Sequence, residues 1–142
     1  MRLPIIGIEF GGGKESMKLV RKLKKYNPIL FFYAFQGIEG IIPVLERWAE
    51  LEGLTLVIIR GKNDRYVQHF DIEKINVNGK TVEVVKGYDS PCLRIAKQYG
   101  VSVLYNGRRR VDFENLKDVH LPESLCEDGI EVKFPFWYVE ET

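Results

Sequence analysis

Cysteine is scarce in this chain and long apolar runs are missing, and each shortage removes a class of protein. The two cysteines, Cys92 and Cys126, stand far apart and form no C-x-x-C pair. Neither a dithiol redox motif nor a thiolate metal site is expected, and two buried or idle thiols in a reducing compartment are the simpler reading. No apolar run approaches the roughly 20 residues of a membrane-spanning helix, and no signal-peptide pattern is present, so a cytoplasmic protein with no membrane partner is expected. An excess of either charge is also lacking: 21 Lys and Arg stand against 20 Asp and Glu, a formal net charge of +1. No bulk field therefore draws the chain onto nucleic acid, and a nucleic-acid partner is not expected. His69 and His120 are isolated in sequence, and each reads as a surface or hydrogen-bonded residue rather than a base.

What is present centres on Ile5-Ile6-Gly7-Ile8-Glu9-Phe10 followed by Gly11-Gly12-Gly13-Lys14-Glu15-Ser16. A buried strand runs through three glycines into a helix, leaving backbone N–H groups at a helix N-terminus with no side chains to shield them. Aligned peptide dipoles place roughly half a positive charge there, and Lys14 adds a full one, which suits phosphate or pyrophosphate. Two familiar phosphate loops do not fit. A Walker A loop would require glycine at Ile8 and Ser or Thr at Glu15, and a dinucleotide fingerprint would require glycine at Ser16.

At 142 residues the chain reads as one domain, 1–142, able to hold a single sheet with helices on both faces. Its wealth of Lys, Arg and Glu would suit a thermophile. Met17, Leu19, Val20, Leu23 and Tyr26 form the apolar stripe of a helix whose other face carries Lys18, Arg21, Lys22, Lys24 and Lys25, a solvated surface by default. Ile29 to Ala34 is an unbroken apolar run, as in a strand buried on both faces. A helix over 41–51 follows, with Ile41, Leu45, Trp48 and Ala49 as its stripe, then a strand over 54–59. Alternating strands and helices of this kind predict an α/β fold: a doubly wound, mainly parallel sheet of about five strands, with the glycine loop at its carboxyl edge. Residues 75–77 and 81–85 alternate around Asn78-Gly79, the pattern of a type I′ hairpin. This hairpin could extend the sheet, cover an edge or, over residues 71–86, pair copies into a homo-oligomer.

Ser90-Pro91 starts a further helix with Cys92, Ile95, Ala96 and Tyr99 on one face, which makes Cys92 a core residue rather than a nucleophile. A strand over 101–105 delivers Gly107-Arg108-Arg109-Arg110 at its end. Three adjacent guanidinium groups suit phosphate or sulfate oxygens; the alternative is a basic turn neutralised by Asp112 and Glu114. Residues 123–129 are expected to be irregular or a short helix, and 130–134 a last strand. Pro135-Phe136-Trp137-Tyr138 reads as a lid on the core before it reads as a stacking surface for a base.

Taken in order, these stretches resemble the phosphoadenosine phosphosulfate (PAPS) reductase-like branch of the PP-loop ATP pyrophosphatases, the adenine nucleotide α-hydrolase superfamily. Gly11 to Ser16 resembles the Ser-Gly-Gly-x-Asp-Ser loop, with Gly11 replacing Ser and Glu15 replacing Asp. Gly37-Ile38-Glu39 before Pro43 to Ala49 resembles the Asp-Thr-Gly-x-Glu segment. Gly107 to Asp112 is similar to the Gly-x-Arg-x-x-Glu-Ser turn, Arg109 matching its arginine, and Pro135 with Trp137 resembles a late Pro and Trp pair. The resemblance implies an adenine nucleotide, ATP or a sulfonucleotide, as ligand. Its phosphates would lie on Gly11, Gly12, Gly13, Lys14, Glu15 and Ser16, its base near Ala34 and Phe35, with Gly37 also among the nucleotide-binding residues, and Arg109 would neutralise phosphate or sulfate. Mg²⁺ would meet Glu15, one methylene longer than the family aspartate, and would be displaced or held less well.

Members of the superfamily either split ATP between its α and β phosphates, adenylating an acceptor, or reduce a sulfonucleotide. Phe35 and Gln36 stand in place of Asp-Thr, and the Glu-Cys-Gly-x-His segment bearing the reductase nucleophile is absent, because Cys126 is followed by Glu127-Asp128-Gly129-Ile130. Thiol-based reduction is therefore not expected. Two functions remain: an ATP pyrophosphatase that adenylates an acceptor, or a member without catalysis that serves as a nucleotide-responsive or assembly module. RNA modification, using Arg108 to Arg110 and the lysine-rich helix, is disfavoured by the near-neutral charge.

Overall fold

The computed structural model describes residues 4–34, 38–61, 67–116, 118–122 and 125–140, without the side chain of Glu114. Its strands are β1 (Ile6–Glu9), β2 (Ile29–Ala34), β3 (Thr55–Arg60), β4 (His69–Val77), β5 (Lys80–Asp89), β6 (Val103–Asn106), β7 (Leu125–Glu127) and β8 (Ile130–Lys133). Its helices are α1 (Lys14–Leu23), α2 (Ile42–Glu52) and α3 (Pro91–Gln98). One six-stranded sheet has the order β3-β2-β1-β6-β8-β7, and β4 and β5 form a two-stranded sheet of their own. Within the larger sheet β3, β2, β1, β6 and β8 are mutually parallel, and β7 runs antiparallel at the edge. The expected α/β architecture is present, with one strand more than predicted.

The unbroken apolar run of β2 serves both faces of the sheet. Leu30, Phe32 and Ala34 belong to the core beneath α1 and α2, whereas Phe31 belongs to the core beneath α3. Successive strand side chains point to opposite faces, so each alternate residue meets a different helical layer. Leu19, Val20 and Leu23 of α1 are buried as its periodicity demands. Tyr26 is exposed because a 3₁₀ turn at Lys24–Tyr26 ends the α-helical stripe. The stripe of α2 also differs from expectation. A 3₁₀ turn over Glu39–Ile41 precedes the helix, Ile42 takes the core position, and Ile41 is 47% exposed.

On the opposite face, the Ser90 hydroxyl caps α3 by accepting from the Leu93 amide at 3.0 Å. Asn78 and Gly79 both have positive φ (52° and 81°), as the hairpin turn requires. The hairpin strands run well beyond 75–85, because a register shift at Asp71/Ile72 hides the continuation from an alternation pattern. The hairpin does not join the main sheet. Its β5 side is tied to the body by a bridge from Val84 to His120 and by buried Val85 and Tyr88. Residues 125–127 form a strand, not an irregular segment or helix. Asp128 and Gly129, also at positive φ (49° and 84°), turn β7 back onto β8. Trp137 is fully buried, donates to the Val119 carbonyl at 3.1 Å and packs with Phe70, Phe113 and Phe134. The aromatic tail thus closes the α3-side core. Among the described residues, no helix is long and apolar enough to cross a membrane.

Candidate functional site

Strands β2 and β3 extend the sheet to one side of β1, while β6 and β8 extend it to the other. At such a reversal the connections leave in opposite directions and open a crevice at the carboxyl ends of the strands. The glycine loop lies there. The Gly11 amide donates to Ser16 Oγ at 3.0 Å, and the first backbone bond of α1 runs from the Met17 amide to the Gly13 carbonyl at 3.0 Å. Between them, the amides of Gly12, Gly13, Lys14, Glu15 and Ser16 meet no acceptor among the described residues. Gly13 is the extended N-cap of α1, with no side-chain cap. Gly12 has φ +76°, and a Cβ placed on Gly12 or Gly13 would meet no atom within 4 Å. These glycines are therefore not forced by crowding. They leave bare donors at the positive end of a helix dipole.

The loop borders a cleft of about 490 Å³ whose lining divides by chemistry. Gly11, Gly12, Gly13, Ser16, Asn106 and Arg108 contribute polar groups. Phe10, Phe32, Ile38, Ile41 and Leu45 contribute an apolar surface, which gives the misread Ile41 a place at the cleft instead of in the core. Glu9 also lines the cleft although it is only 6% exposed. Its carboxylate accepts from the hydroxyls of Tyr88 and Ser90 and from the Asn106 side-chain amide. Burial, reinforced by the Glu9 carboxylate, pushes the Tyr88 phenol well above its usual range, so it stays a neutral donor.

The three arginines go three separate ways. Arg108 lines the cleft, its guanidinium 5.8 Å from the centre of the Phe113 ring. Arg109, with a side chain 12% exposed, bonds Asp112 at 3.0 Å and lies 3.9 Å from Glu15. Its Nε and Nη1 are buried without a hydrogen-bond partner among the described residues. Arg110 pairs with Glu140 at 3.0 Å and lies over the Tyr138 ring. Gly107 makes the arrangement possible: a Cβ there would stand 2.9 Å from Glu15 Cβ and 3.1 Å from the Glu15 backbone. The turn after β6 thus abuts the first turn of α1, a contact that only glycine permits.

Of the residues expected at the site, the structure brings Gly11, Gly12, Gly13, Glu15 and Ser16 together on the cleft. Lys14 is exposed at the start of α1. Ala34 is buried among the α1 and α2 side chains and is not part of the cleft, where Phe32 and Tyr33 stand instead. Arg109 does not line the cleft either; Arg108 does. Phe35 and Gly37, and Gln36 between them, lie outside the described residues. Sequence reasoning missed Glu9, Tyr88 and Asn106. The signal for Glu9 was a lone carboxylate in an otherwise apolar strand, where a charge persists only if it is hydrogen-bonded.

No protein-family model matches the chain, and neither does any curated protein. Among solved structures, it is similar to one described as a predicted subunit of a tRNA methyltransferase from Methanocaldococcus jannaschii. The two are 18% identical, the match covers 97% of this chain and 70% of that one, and the TM-score is 0.47. A likeness this distant identifies neither a family nor an activity.

Proposed function

We propose that this chain binds an adenine nucleotide, ATP or a sulfonucleotide, in the manner of the PAPS reductase-like PP-loop proteins that its motifs resemble. The observation that carries the reading is the run of bare amides from Gly12 to Ser16 at the N-terminus of α1, opening onto a cleft. Converging N–H donors and the helix dipole favour a phosphate there. The apolar surface of Phe10, Phe32, Ile38, Ile41 and Leu45 suits a planar base, and about 490 Å³ lies within the range of small-ligand clefts. Arg108 is the arginine that lines the cleft, while Arg109 holds the arginine turn against α1 through Asp112 and Glu15.

Among the described residues no group of three or more His, Cys, Asp or Glu could cage a metal. Mg²⁺ would therefore arrive with the phosphates, keep much of its water and draw on Glu15, which already faces Arg109. Chemistry at this site would rest on placement: an acceptor held in line with the α-phosphorus, and pyrophosphate leaving onto the amides.

Calorimetric titration with ATP, adenosine phosphosulfate and its 3′-phosphorylated form tests the binding. Saturable binding of at least one supports the reading, and three flat titrations contradict it. Pyrophosphate release on incubation with ATP and Mg²⁺ then separates an adenylating enzyme from a member that binds nucleotide without cleaving it.

A further inference from the structure

We propose that Glu9 is the positioning residue of the cleft: its buried carboxylate holds the arginine turn and the base of the hairpin in place around the glycine loop. A carboxylate at 6% exposure is costly unless donors surround it. Its donors come from three different segments. Tyr88, near the end of β5, donates from its hydroxyl, which lies 2.9 and 2.8 Å from the two carboxylate oxygens. Ser90, the cap of α3, and Asn106, the last residue of β6, supply the others. Each donor also serves its own surroundings. Ser90 Oγ caps the Leu93 amide, and the Tyr88 hydroxyl accepts from Gln68 at 2.6 Å. Asn106 Oδ1 accepts from the Arg108 amide at 2.8 Å.

The last link gives Glu9 its reach. A planar amide held by a carboxylate on one side and a backbone N–H on the other cannot turn over without losing both bonds. The position of the Arg108 backbone, where the arginine turn leaves β6 beside the cleft, is therefore set by Glu9 through Asn106. Gln68 and Tyr88 connect the same carboxylate to the base of the hairpin. Replacing Glu9 by Gln keeps its shape but removes the charge and exchanges one acceptor oxygen for an N–H₂ donor, so the bond from Asn106 loses its charge assistance and a hydroxyl partner must turn from donor to acceptor.

The test is amide hydrogen exchange, residue by residue, on the whole chain. In Glu9→Gln the Arg108 amide should exchange at least about tenfold faster, while the Val85 amide, bonded to the His120 carbonyl at 2.9 Å, keeps its protection. An unchanged Arg108 amide, or equal loosening at both positions, overturns the proposal. Asn106→Ala serves as a second variant should Glu9→Gln not fold. It should free the Arg108 amide yet leave protected the Tyr88 amide, which bonds Glu127 at 2.8 Å. Retained protection at Arg108 in that variant is equally fatal.

A second arm rests on the nucleotide reading. Glu9→Gln and Arg108→Ala should each weaken ATP binding about tenfold, and the double variant no further, because both act through Arg108. Losses that multiply to about a hundredfold would mean that Glu9 acts independently of Arg108. Absence of ATP binding in the unmodified protein would remove the nucleotide reading, with the exchange measurement still deciding the role of Glu9.

Discussion

The glycine loop and the arginine turn follow adjacent parallel strands, β1 and β6, and end within contact of each other at Gly107 and Glu15. By charge, the arginine turn is the stronger candidate for an anion. By structure the order is reversed. Arg109 and Arg110 pair with Asp112 and Glu140, and the donors they leave without a partner among the described residues are buried off the cleft, whereas the uncharged amides from Gly12 to Ser16 have no acceptor among the described residues and open onto it. Readiness to bind an anion depends on donors that are both without partners and open to a cleft, and charge density is a poor guide to it. The arginine turn is chiefly a brace, and the glycine loop is what it braces.

Removing the brace should have the largest effect. Arg109→Ala takes the cation from Asp112 and Glu15, whose side chains are only partly exposed. A loss of about 2–4 kcal/mol in urea unfolding is expected, below the full value for a buried pair because water reaches the carboxylates. Unchanged stability with weakened ATP binding would return Arg109 to the ligand and undo the contrast. Gly107→Ala should cost about 1–3 kcal/mol by the same measurement, since a new Cβ collides with the start of α1.

The loop should respond differently. Gly12→Ala meets no steric obstacle, but its φ of +76° makes a loss of about 1–2 kcal/mol the expected result. Lys14→Ala should leave stability within about 0.5 kcal/mol, as at any exposed position, while weakening ATP binding about threefold to tenfold. A comparable loss of stability would make Lys14 part of the brace.

The smallest effect comes from a surface pair away from both segments. The hydrogen bond from Arg94 holds the Asp89 carboxyl below its usual range. A depressed carboxylate stabilises the fold above its unfolded pKa of about 4 and stops doing so as pH falls through its lower folded value. Asp89→Asn should therefore lose a little stability at neutral pH and flatten the decline below pH of about 4. This exposed pair provides the scale against which Arg109 is judged.

Much of the fold was legible because its signals are local. Asn78-Gly79, Ser90-Pro91 and the glycine loop each state a backbone requirement within two or three residues, and the structure meets all of them. Strand β7 was readable and went unread: Asp128-Gly129 is the same kind of turn as Asn78-Gly79, but the three-residue strand before it is too short to show alternation. The stripe of α2 was misplaced by one residue because a preceding 3₁₀ turn shifts where the helix begins. The candidate site was legible only in its backbone part. The partners of Glu9 lie 79, 81 and 97 residues away in the chain, so no local pattern could have assembled them. The division of labour between Arg108 and Arg109 depends on which one faces the cleft, and sequence does not carry that information for an irregular turn.

The account is tested most directly by titrating pyrophosphate into isotopically labelled protein and following the backbone amide resonances. The largest shifts are expected at Gly12, Gly13, Lys14, Glu15 and Ser16, with smaller ones at Arg108. Shifts confined to the exposed lysines of α1, or none up to millimolar pyrophosphate, would contradict it.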